Sequence, residues 1–583
     1  MIERMTKYSF ILLKEQNEQF FRVVSEAGVI DIKRSEKAID DKSAALFDEI
    51  DSISKRVALL KKSDFKSDPE YASLLSSLNE AETVLNNREI WGDIDFDKVN
   101  SLSKNGIELS FFCVPNKRFD PSWVEDYGAA TTAVKDGKVY FAIAHTSGQA
   151  LPEGITPLAM PQGVIAELQG RVSDIKAQIG ERAAALEAEK EAIPAMLERK
   201  QELLSQLDLY LADSTGESAV DGHLTVYVGF APKREDQNVR KRLEESGLFY
   251  MAEDATKDDN PPILLHNNAF ARQFEPLTGM YGMPVYDEFD PTPILAPFFL
   301  LFFAMCMGDA GYGLLLIAIS LVLRKMKGGL AELWRLVLLL GTGTFFIGIL
   351  LGTFFGISLP DAAWVPQKLK DIMITGEIAG YNAQMVLAIA IGIVHICIAM
   401  VIKGICFTKR FGFKETISTW GWVTLIIGGL IVAGFSIGGV ISAPVTKITV
   451  IIIGIISALG IFIFNKPGRN PLLNIGAGLW DTYGMVTGLA GDILSYIRLF
   501  ALGLAGGMLG SAFNTLASMT LGSSPTWQWL PFVLILLIGH ALNLAMACLG
   551  AFVHPLRLNF LEFFKNSGYE GRGIKYNPII NNN

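Results

Sequence analysis

The sequence predicts a mostly α-helical protein in which a soluble N-terminal half precedes a polytopic helical membrane domain. Charge and apolar content divide sharply near Asp290. Up to that residue the chain holds 33 Lys and Arg against 50 Asp and Glu, a net charge of −17. Beyond it the counts are 18 and 10, a net charge of +8, and the long apolar runs are found there. We therefore expect a cytoplasmic, stalk-like domain over residues 1–290 and a transmembrane domain over 291–583.

Two stretches of the N-terminal half have the periodicity of long amphipathic helices, and we expect helical arms at about 36–90 and 162–213. Apolar residues spaced by three, four or seven mark both seams: Ile39, Leu46, Ile50, Ile53, Val57 and Leu60, then Ile165, Leu168, Val172, Ile175, Ile179, Leu186, Leu197, Leu204 and Leu207. Pro194 should kink or break the second arm. The simplest arrangement is an antiparallel pair of arms. The alternative is a helical spacer that has no specific partner.

Shorter β-rich pieces predict strands at Ile107–Val114, Lys138–Ala144 and Leu224–Phe230. They place α/β lobes around residues 1–35, 105–150 and 220–285. The chain contains no GxxxxGK[ST] phosphate loop, so we expect no nucleotide site and no ATP chemistry in this chain by itself. The five cysteines are scattered without metal-ligand spacing, and we expect no cofactor, no metal and no nucleic-acid partner.

The apolar segments of the second half are seven by simple counting: Pro293–Val322, Leu336–Ile357, Ala383–Ile402, Ser418–Gly439, Ile448–Phe464, Tyr483–Met519 and Leu530–Phe564. Basic loops near 324–335, 403–414 and 466–469 belong in the cytoplasm by the positive-inside rule. The start of the chain has no signal-peptide core, which favours a cytoplasmic N-terminal domain. Both conditions hold only if Pro293–Val322 is a hairpin that turns near Gly308–Gly311. We therefore predict eight passages, with both termini cytoplasmic.

The last two apolar segments are longer than an upright crossing requires. Each of Tyr483–Met519 and Leu530–Phe564 has about 35 residues, whereas roughly 20 suffice to span a bilayer. Helices of this length must tilt strongly or project from the membrane. Two strongly tilted neighbours indicate a surface shaped against a curved partner.

Arg498 lies near the middle of the first of these helices, within ILSYIRLFALGLAGGML. A lone arginine at bilayer depth costs about 2.5–3.5 kcal/mol on insertion scales. The nearest acid, Asp492, is six residues away and on another helix face. If the connecting turn centres near residue 527, Arg557 on the next helix lies at similar depth. Two such cations require water or an anionic partner on another chain, although Arg557 could instead pair with Glu562.

Three segments carry a resemblance to a known family. SYIRLFALGLAGGML (495–509), DPTPILAPFFLLFFAMCMGDAGYGL (290–314) and HPLRLNFLEF (554–563) resemble the membrane subunit a, also called subunit I, of V-type and A-type rotary ATPases, in its prokaryotic form. In that family the arginine that matches Arg498 faces the ion-binding carboxylate of the rotor ring. The arginine that matches Arg557 supports it from the neighbouring helix. Some eukaryotic members have a glutamate where this chain has Ala547, so their channel residues do not transfer simply.

The resemblance implies a stator subunit that provides two ion half-channels and couples proton or sodium flow to rotation. Polar residues of the last two helices are the half-channel candidates: Asp492, Ser495, Tyr496, Asn514, Gln528, His540, Asn543, His554 and Glu562. For each of the histidines, a role in packing is at least as good an interpretation as a role in proton transfer. The implied partners are a ring of proteolipid c subunits, peripheral-stalk subunits on the N-terminal domain, the central stalk with the ATP-hydrolysing sector, and the lipid bilayer. A prokaryotic plasma membrane is the expected location.

Two other functions fit parts of the sequence. A secondary transporter with a cytoplasmic regulatory domain would need its own mid-membrane substrate site, usually formed by internal repeats, and no convincing repeat is visible. A membrane-anchored coiled-coil scaffold would explain the arms. It would not explain eight passages or an arginine at bilayer depth.

Overall fold

The computed structural model describes residues 1–34, 37–62, 64–92, 94–146, 155, 157–158, 163–219, 223–326, 333–378, 380–465, 471–520 and 529–580. The α-helices before the apolar half are α1 (Asn17–Ala27), α2 (Asp41–Leu60), α3 (Pro69–Glu89), α4 (Phe96–Lys104), α5 (Ser122–Asp126), α6 (Ile165–Glu189), α7 (Ile193–Ser214), α8 (Asp236–Ser246) and α9 (Glu275–Tyr281).

The helices that follow are α10 (Thr292–Met307), α11 (Ala310–Leu323), α12 (Trp334–Leu351), α13 (Gln367–Lys370), α14 (Ala383–Phe411), α15 (Ile417–Ile437), α16 (Ala443–Ala458), α17 (Pro471–Ser495), α18 (Ile497–Met519), α19 (Trp529–Arg557) and α20 (Phe564–Ser567). The strands are β1 (Met5–Leu13), β2 (Asp31–Ile32), β3 (Ile107–Pro115), β4 (Ala130–Lys135), β5 (Lys138–Thr146), β6 (Glu217–Ala219), β7 (Leu224–Pro232), β8 (Tyr250–Asp254), β9 (Thr353–Phe354), β10 (Ile357–Ser358), β11 (Glu377–Ile378) and β12 (Tyr381–Asn382).

The chain forms two compact units. One contains residues 34–216 with 580–583, and the other contains residues 1–33 with 217–579. The predicted boundary at Asp290 separates a cytoplasmic domain from a transmembrane domain, and it stays a prediction.

The unit that contains residues 34–216 is built on two antiparallel helix pairs. In the pair α2–α7, Ile50 clusters with Leu203, Leu207 and Leu211. In the pair α3–α6, Ala81 clusters with Val172 and Ile175. Ile50, Leu207, Val172 and Ile175 of these clusters belong to the predicted seams, whereas Leu203, Leu211 and Ala81 do not. Burial of one apolar stripe is what stabilises an amphipathic helix.

Three residues of the predicted seams are exposed instead. Ile39 precedes the first residue of α2 and is 51% exposed, while Leu197 and Leu204 are each 40% exposed. The prediction that these three pack in the seams is wrong. Ile39 lies before the helix N-cap, Asp40, so the helical period does not apply to it.

Both arms are interrupted at the level of Asp68. Pro194 lies in the first turn of α7, directly after a 3₁₀ turn at 190–192, so the proline breaks the second arm as predicted. Asp68 is 1% exposed and caps α3 by accepting from the Tyr71 amide at 3.0 Å. It also accepts from Arg56 at 3.2 Å and from Arg182 at 3.0 Å. Burial would raise the pKa of Asp68, but the hydrogen bonds from Arg182, the Tyr71 amide and Arg56 outweigh it and lower the pKa.

The three predicted strands are present as β3, β5 and β7. In the first unit, β3, β5 and β4 form an antiparallel sheet in that order. Its core contains Phe112 and Phe141, whose ring centroids are 5.4 Å apart. In the second unit an antiparallel sheet has the order β2-β7-β1-β8, and β6 pairs with β7. Phe20 of α1 covers it by packing on Phe10 and Tyr227.

Within the described ranges, six helices are long and apolar enough to cross a membrane. Two shorter apolar helices, α10 and α11, precede them. Gly308 ends α10 with φ of 60° and Asp309 begins α11, so the segment at 293–322 is two helices, as the hairpin prediction requires. The count of eight passages and the orientation of the termini stay predictions.

The apolar helices differ from the predicted segments at several ends. The helix predicted over Leu336–Ile357 ends at Leu351, because Gly352 has φ of 79° and the chain then forms the β9–β10 hairpin. The first long helix begins at Pro471, well before the predicted Tyr483. It continues through α18, which gives an apolar stretch of 48 residues rather than about 35.

Charge removal at Asp68 tests the break in the arms. Asp68→Ala removes the N-cap of α3 and leaves two arginines without their shared acceptor. A lost cap costs about 1 kcal/mol, so we expect amides at the start of α3 to exchange about five- to tenfold faster. Hydrogen–deuterium exchange of the intact chain, resolved by mass spectrometry, measures this rate.

The matched control is Glu70→Ala, which removes an exposed carboxylate that pairs with Arg182 at 3.1 Å. We expect no change there, because surface ion pairs contribute little. Equal protection of these amides in Asp68→Ala and in the unchanged chain would contradict the structural role of Asp68.

Candidate functional site

The site is formed by α17, α18 and α19, and both long helices are irregular near it. Tyr496 separates α17 from α18, and the hydrogen bonds there run from Tyr496 N to Ile493 O and from Leu499 N to Tyr496 O, each 3.1 Å long. These are 3₁₀-type bonds within a long helix. After Arg557, α19 changes into a π-helical segment, Leu558–Phe563, before α20. Such irregularities in long helices often occur at functional sites.

Arg498 lies in the first turn of α18, two residues beyond the irregular turn. Its side chain is half-buried, and its Nη1 atom is buried without a hydrogen-bond partner among the described residues. No ion pair of Arg498 occurs in the described part of the chain. Among these residues Arg498 therefore forms no ion pair with Asp492, as the spacing between the two predicts.

Arg557 is the last residue of α19, and its side chain is exposed. Glu562 is only 4% exposed, and it forms no ion pair with Arg557 within the described ranges. His554 lies within electrostatic range of both Arg498 and Arg557. The two arginines therefore share one neighbourhood with His554, whose Nδ1 is buried without a hydrogen-bond partner in the described chain.

Acidic and polar groups gather where α17 meets α20. Asp492 accepts from Asn566 Nδ2 at 2.8 Å and pairs with Lys565 at 3.4 Å. The buried Glu562 carboxyl group interacts with the Ser495 side chain and with Arg498. The hydroxyl of Ser495 also donates to Gly491 O at 3.1 Å. Three of the predicted residues, Asp492, Ser495 and Glu562, are thus neighbours in the structure.

A second polar cluster lies toward the end of α18 and near the middle of α19. His540 Nε2 is 3.0 Å from Asn514 Oδ1, and its Nδ1 is 2.8 Å from the Tyr312 hydroxyl. Asn543 donates to the same Tyr312 hydroxyl at 2.7 Å and to Gly506 O at 2.9 Å. Asn514, His540 and Asn543 were candidates from the sequence, whereas Tyr312 was missed. A single tyrosine among apolar residues, three positions after a turn aspartate, was the available signal.

The remaining candidates fall elsewhere. Tyr496 is fully buried in an aromatic pocket. There its hydroxyl forms a hydrogen bond with His395 Nδ1, and the two atoms are 2.9 Å apart. Gln528 lies outside the described residues. Asp309, interpreted from the sequence as a turn residue, is the N-cap of α11 and accepts from the Gly311 and Tyr312 amides. It also accepts from Phe355 N at 2.8 Å and Gly356 N at 2.7 Å, and so attaches the β9–β10 hairpin to α11.

Glycines of α18 allow close approach on one face and leave another face open. A Cβ at Gly503 would lie 2.5 Å from Met305 O, and one at Gly510 would lie 3.1 Å from the Gly356 Cα. No described atom comes within 4 Å of that position at Gly506. Small residues allow helices to pack closely in membranes. Gly503 and Gly510 serve this purpose within the chain, and Gly506 lies on a face open to another molecule.

A cavity of about 280 Å³ lies beside this glycine face. Its polar lining comes from the β9–β10 hairpin, the start of α14 and α18: Thr353, Ser358, Asn382, Gln384 and Ser511. Hydroxyl and amide groups of this kind hold water. The cavity therefore offers a polar-lined space suited to water beside α18, between Arg498 and the end of that helix.

These features define a polytopic membrane protein with an arginine among its apolar helices and polar clusters on both sides of it. A family model described as the V-type ATPase 116kDa subunit family matches residues 159–365. The A-type ATP synthase subunit I of Methanocaldococcus jannaschii is 30% identical over 457 residues, covering 71% of this chain and 65% of that protein. The same subunit of Pyrococcus abyssi is 32% identical over 368 residues, covering 60% and 53%.

The V-type ATP synthase subunit I 1 of Treponema pallidum is 27% identical over 535 residues, covering 84% of this chain and 81% of that protein. The chain thus matches about two thirds of the first of these relatives and about half of the second. It belongs to the family of subunit I of A-type and V-type ATP synthases and is a membrane protein.

Glycine substitutions test the packing of α18. Gly503→Ala places a methyl group against the Met305 carbonyl, so α10 and α18 must separate and the chain should lose thermal stability. Gly506→Ala is the matched control, since its methyl group points into open space. Thermal aggregation of the purified chain in detergent measures the difference. Equal midpoints for the two variants would show that α18 does not pack on α10 through this glycine.

Proposed function

We propose that this chain is the ion-translocating stator subunit of a rotary ATPase. In this role it couples the passage of protons or sodium ions across the membrane to rotation and to ATP hydrolysis or synthesis. The single observation that carries the proposal is the half-buried Arg498 guanidinium, which forms no ion pair in the described chain and whose Nη1 atom has no hydrogen-bond partner there. A cation among apolar helices requires an anion or water. The family membership supplies the expected anion, a carboxylate of a rotor ring formed by proteolipid c subunits.

Charge and exposure support a partner on the α18–α19 face. Arg557 is exposed, and the position of a Cβ at Gly506 opens to space, so another helix can approach this side closely. A cation within 4–6 Å lowers a carboxylate pKa by about 1–3 units. We therefore expect a rotor carboxylate to release its ion as it passes Arg498. In this proposal Arg557 supports Arg498 as a second positive charge nearby, since His554 lies within electrostatic range of both arginines.

The two polar clusters are the proposed half-channels, one on each side of Arg498. Asp492, Ser495 and Glu562 form the path that we place on the cytoplasmic side. Asn514, His540 and Asn543, with Tyr312 and the neighbouring cavity, form the path on the opposite side. Arg498 lies between them and blocks direct passage, because a fixed cation repels protons and sodium ions. Ions then cross only on the moving rotor, which couples flow to rotation.

The soluble part completes the stator in this proposal. The two-helix arms of residues 34–216 would attach peripheral-stalk subunits, and the central stalk with the ATP-hydrolysing sector would be reached through the assembled complex. We place the N-terminal domain and the C-terminus in the cytoplasm, with the complex in a prokaryotic plasma membrane. The chain itself would not hydrolyse ATP.

Loss of the arginine is the first test of this function. In vesicles that contain the whole complex, Arg498→Ala should abolish ATP-driven ion uptake while the complex remains assembled. Arg498→Lys should also be impaired, because a buried lysine can lose its proton and an arginine does not. Arg324→Ala, at the end of α11, is the control and should leave uptake unchanged. Normal uptake with Arg498→Ala would exclude the proposed mechanism.

The proteins that co-purify with the chain, and its ion uptake when reconstituted alone, distinguish this function from the secondary transporter and the scaffold. A stator subunit should co-purify with a small, glycine-rich proteolipid that carries one mid-membrane Glu. It should also show no ion uptake when reconstituted alone. Uptake by the isolated chain would favour the transporter, and isolation without any proteolipid or ion flux would favour the scaffold.

Tyr312→Phe tests the polar cluster on α18 and α19. The substitution removes a hydroxyl that both His540 and Asn543 contact, and one such hydrogen bond contributes about 0.5–1.5 kcal/mol. We expect ATP-driven uptake to fall about three- to tenfold. Tyr483→Phe, on the exposed side of α17, is the control. Unchanged uptake in Tyr312→Phe would remove this cluster from the ion path.

A further inference from the structure

His395 of α14 is fully buried, and it contacts both irregular segments of the long helices. Its Nδ1 is 2.9 Å from the hydroxyl of Tyr496, the residue between α17 and α18. Its ring stacks on Phe563, the last residue of the π segment, with centroids 4.6 Å apart and planes 9° from parallel. One imidazole therefore connects the turn before Arg498 to the segment that follows Arg557.

Glycine at position 392 creates the space that Tyr496 occupies. Gly392 lies one turn before His395 on the same helix, and a Cβ there would be 2.3 Å from Tyr496 Cγ. Tyr496 is fully buried, and its ring also meets Phe302 of α10 edge-on at 5.7 Å. Gly392 and His395 thus form a socket on α14 in which the tyrosine ring and its hydroxyl are both held.

The surroundings of His395 do not suit a proton carrier. Phe298 packs on the ring at 4.3 Å and Phe302 at 5.1 Å, in addition to Phe563. Its Nε2 is buried and has no hydrogen-bond partner in the described part of the chain. In the described chain the one hydrogen-bond partner of this enclosed imidazole is therefore the Tyr496 hydroxyl. Its remaining contribution is geometric.

The geometry has a physical purpose, because neither irregular segment is the most stable form of an isolated helix. A 3₁₀ turn has poorer hydrogen bonds than an α-turn, and a π segment is rarer still. Such conformations persist where packing and side-chain hydrogen bonds hold them. The turn at Tyr496 sets the direction in which the Arg498 side chain extends from α18. The π segment sets the position of Glu562, which precedes Phe563.

We infer that His395 is a positioning residue for the ion path: through Tyr496 and Phe563 it fixes Arg498 and Glu562 relative to each other. This inference rests on the proposed function, since it assigns a role within that ion path. Without the histidine bond, the turn at Tyr496 relaxes toward regular α-helix. Arg498 then rotates away from the passing carboxylate, so ATP is hydrolysed with less ion movement.

The test measures the number of ions taken up per ATP hydrolysed in vesicles that contain the whole complex. Tyr496→Phe removes only the hydroxyl, and His395→Phe removes the bond while it keeps an aromatic ring against Phe563. Each should lower the ratio several-fold with ATP hydrolysis retained. The double variant should be no worse than the more impaired single variant, because both substitutions delete the same bond. Tyr483→Phe is the control, and immunoblotting verifies equal amounts of assembled subunit.

A conservative substitution separates positioning from simple packing. His395→Asn retains a polar atom near the Nδ1 position and should have a higher ion-to-ATP ratio than His395→Ala. A wild-type ratio in Tyr496→Phe and His395→Phe, or additive losses in the double variant, would overturn the inference. If Arg498→Ala loses uptake in the same vesicles while those two variants keep the normal ratio, only this inference fails. If Arg498→Ala keeps uptake, the proposed function itself fails.

Discussion

The membrane helices depend on the buried Asp309 carboxylate, which is 1% exposed and accepts from four backbone amides. Two of the donors belong to the start of α11 and two to the hairpin that follows α12. Hydrogen bonds to a charged group contribute about 1.5–3 kcal/mol each, and unsatisfied amides at this depth would be costly. A single carboxylate therefore joins the turn between two short helices to the loop that follows α12.

This arrangement provides the surface on which α18 packs. The Gly308 carbonyl accepts from Thr353, and Gly356 of the hairpin lies against Gly510. Gly503 meets the carbonyl of Met305 at the other end of the same face. The close approach places α18 against α10, while Asn514 donates to Phe355 O at 2.7 Å. The polar cluster around His540 is consequently anchored to the same hairpin as Asp309.

The charged groups of the candidate site fall into two unlike parts. The two arginines and His554 gather where the start of α18 lies near the end of α19, whereas Asp492 pairs with Lys565 and accepts a hydrogen bond from Asn566. At that level neither arginine forms an ion pair in the described chain, although the Glu562 carboxyl group interacts with Arg498. Helical irregularity occurs at that same level, on both long helices, and aromatic packing around His395 joins them. The positive charges, the two irregular helix segments and the aromatic packing around His395 all lie within a few turns of Arg498.

The amino-acid sequence by itself determined the class of fold and singled out Arg498, the central residue of the candidate site. Charge asymmetry and apolar length are additive properties of the chain, so the long apolar helices and the acidic N-terminal half followed directly. Arg498 stood out because a cation in an apolar run has an intrinsic cost that depends little on its neighbours. Gly308–Asp309 predicted the hairpin for a similar local reason, since both residues favour turns.

Tertiary structure alone decided the contacts that separate polar residues into groups. Tyr312 joins His540 and Asn543 across more than 200 residues, and the Gly392–His395 socket holds Tyr496 from another helix. Helical periodicity shows which face a residue occupies, but not which helix covers that face. The same limit explains why periodicity places Leu197 and Leu204 in a seam that they do not reach. It also explains why the sequence does not show the aromatic pocket that encloses Tyr496.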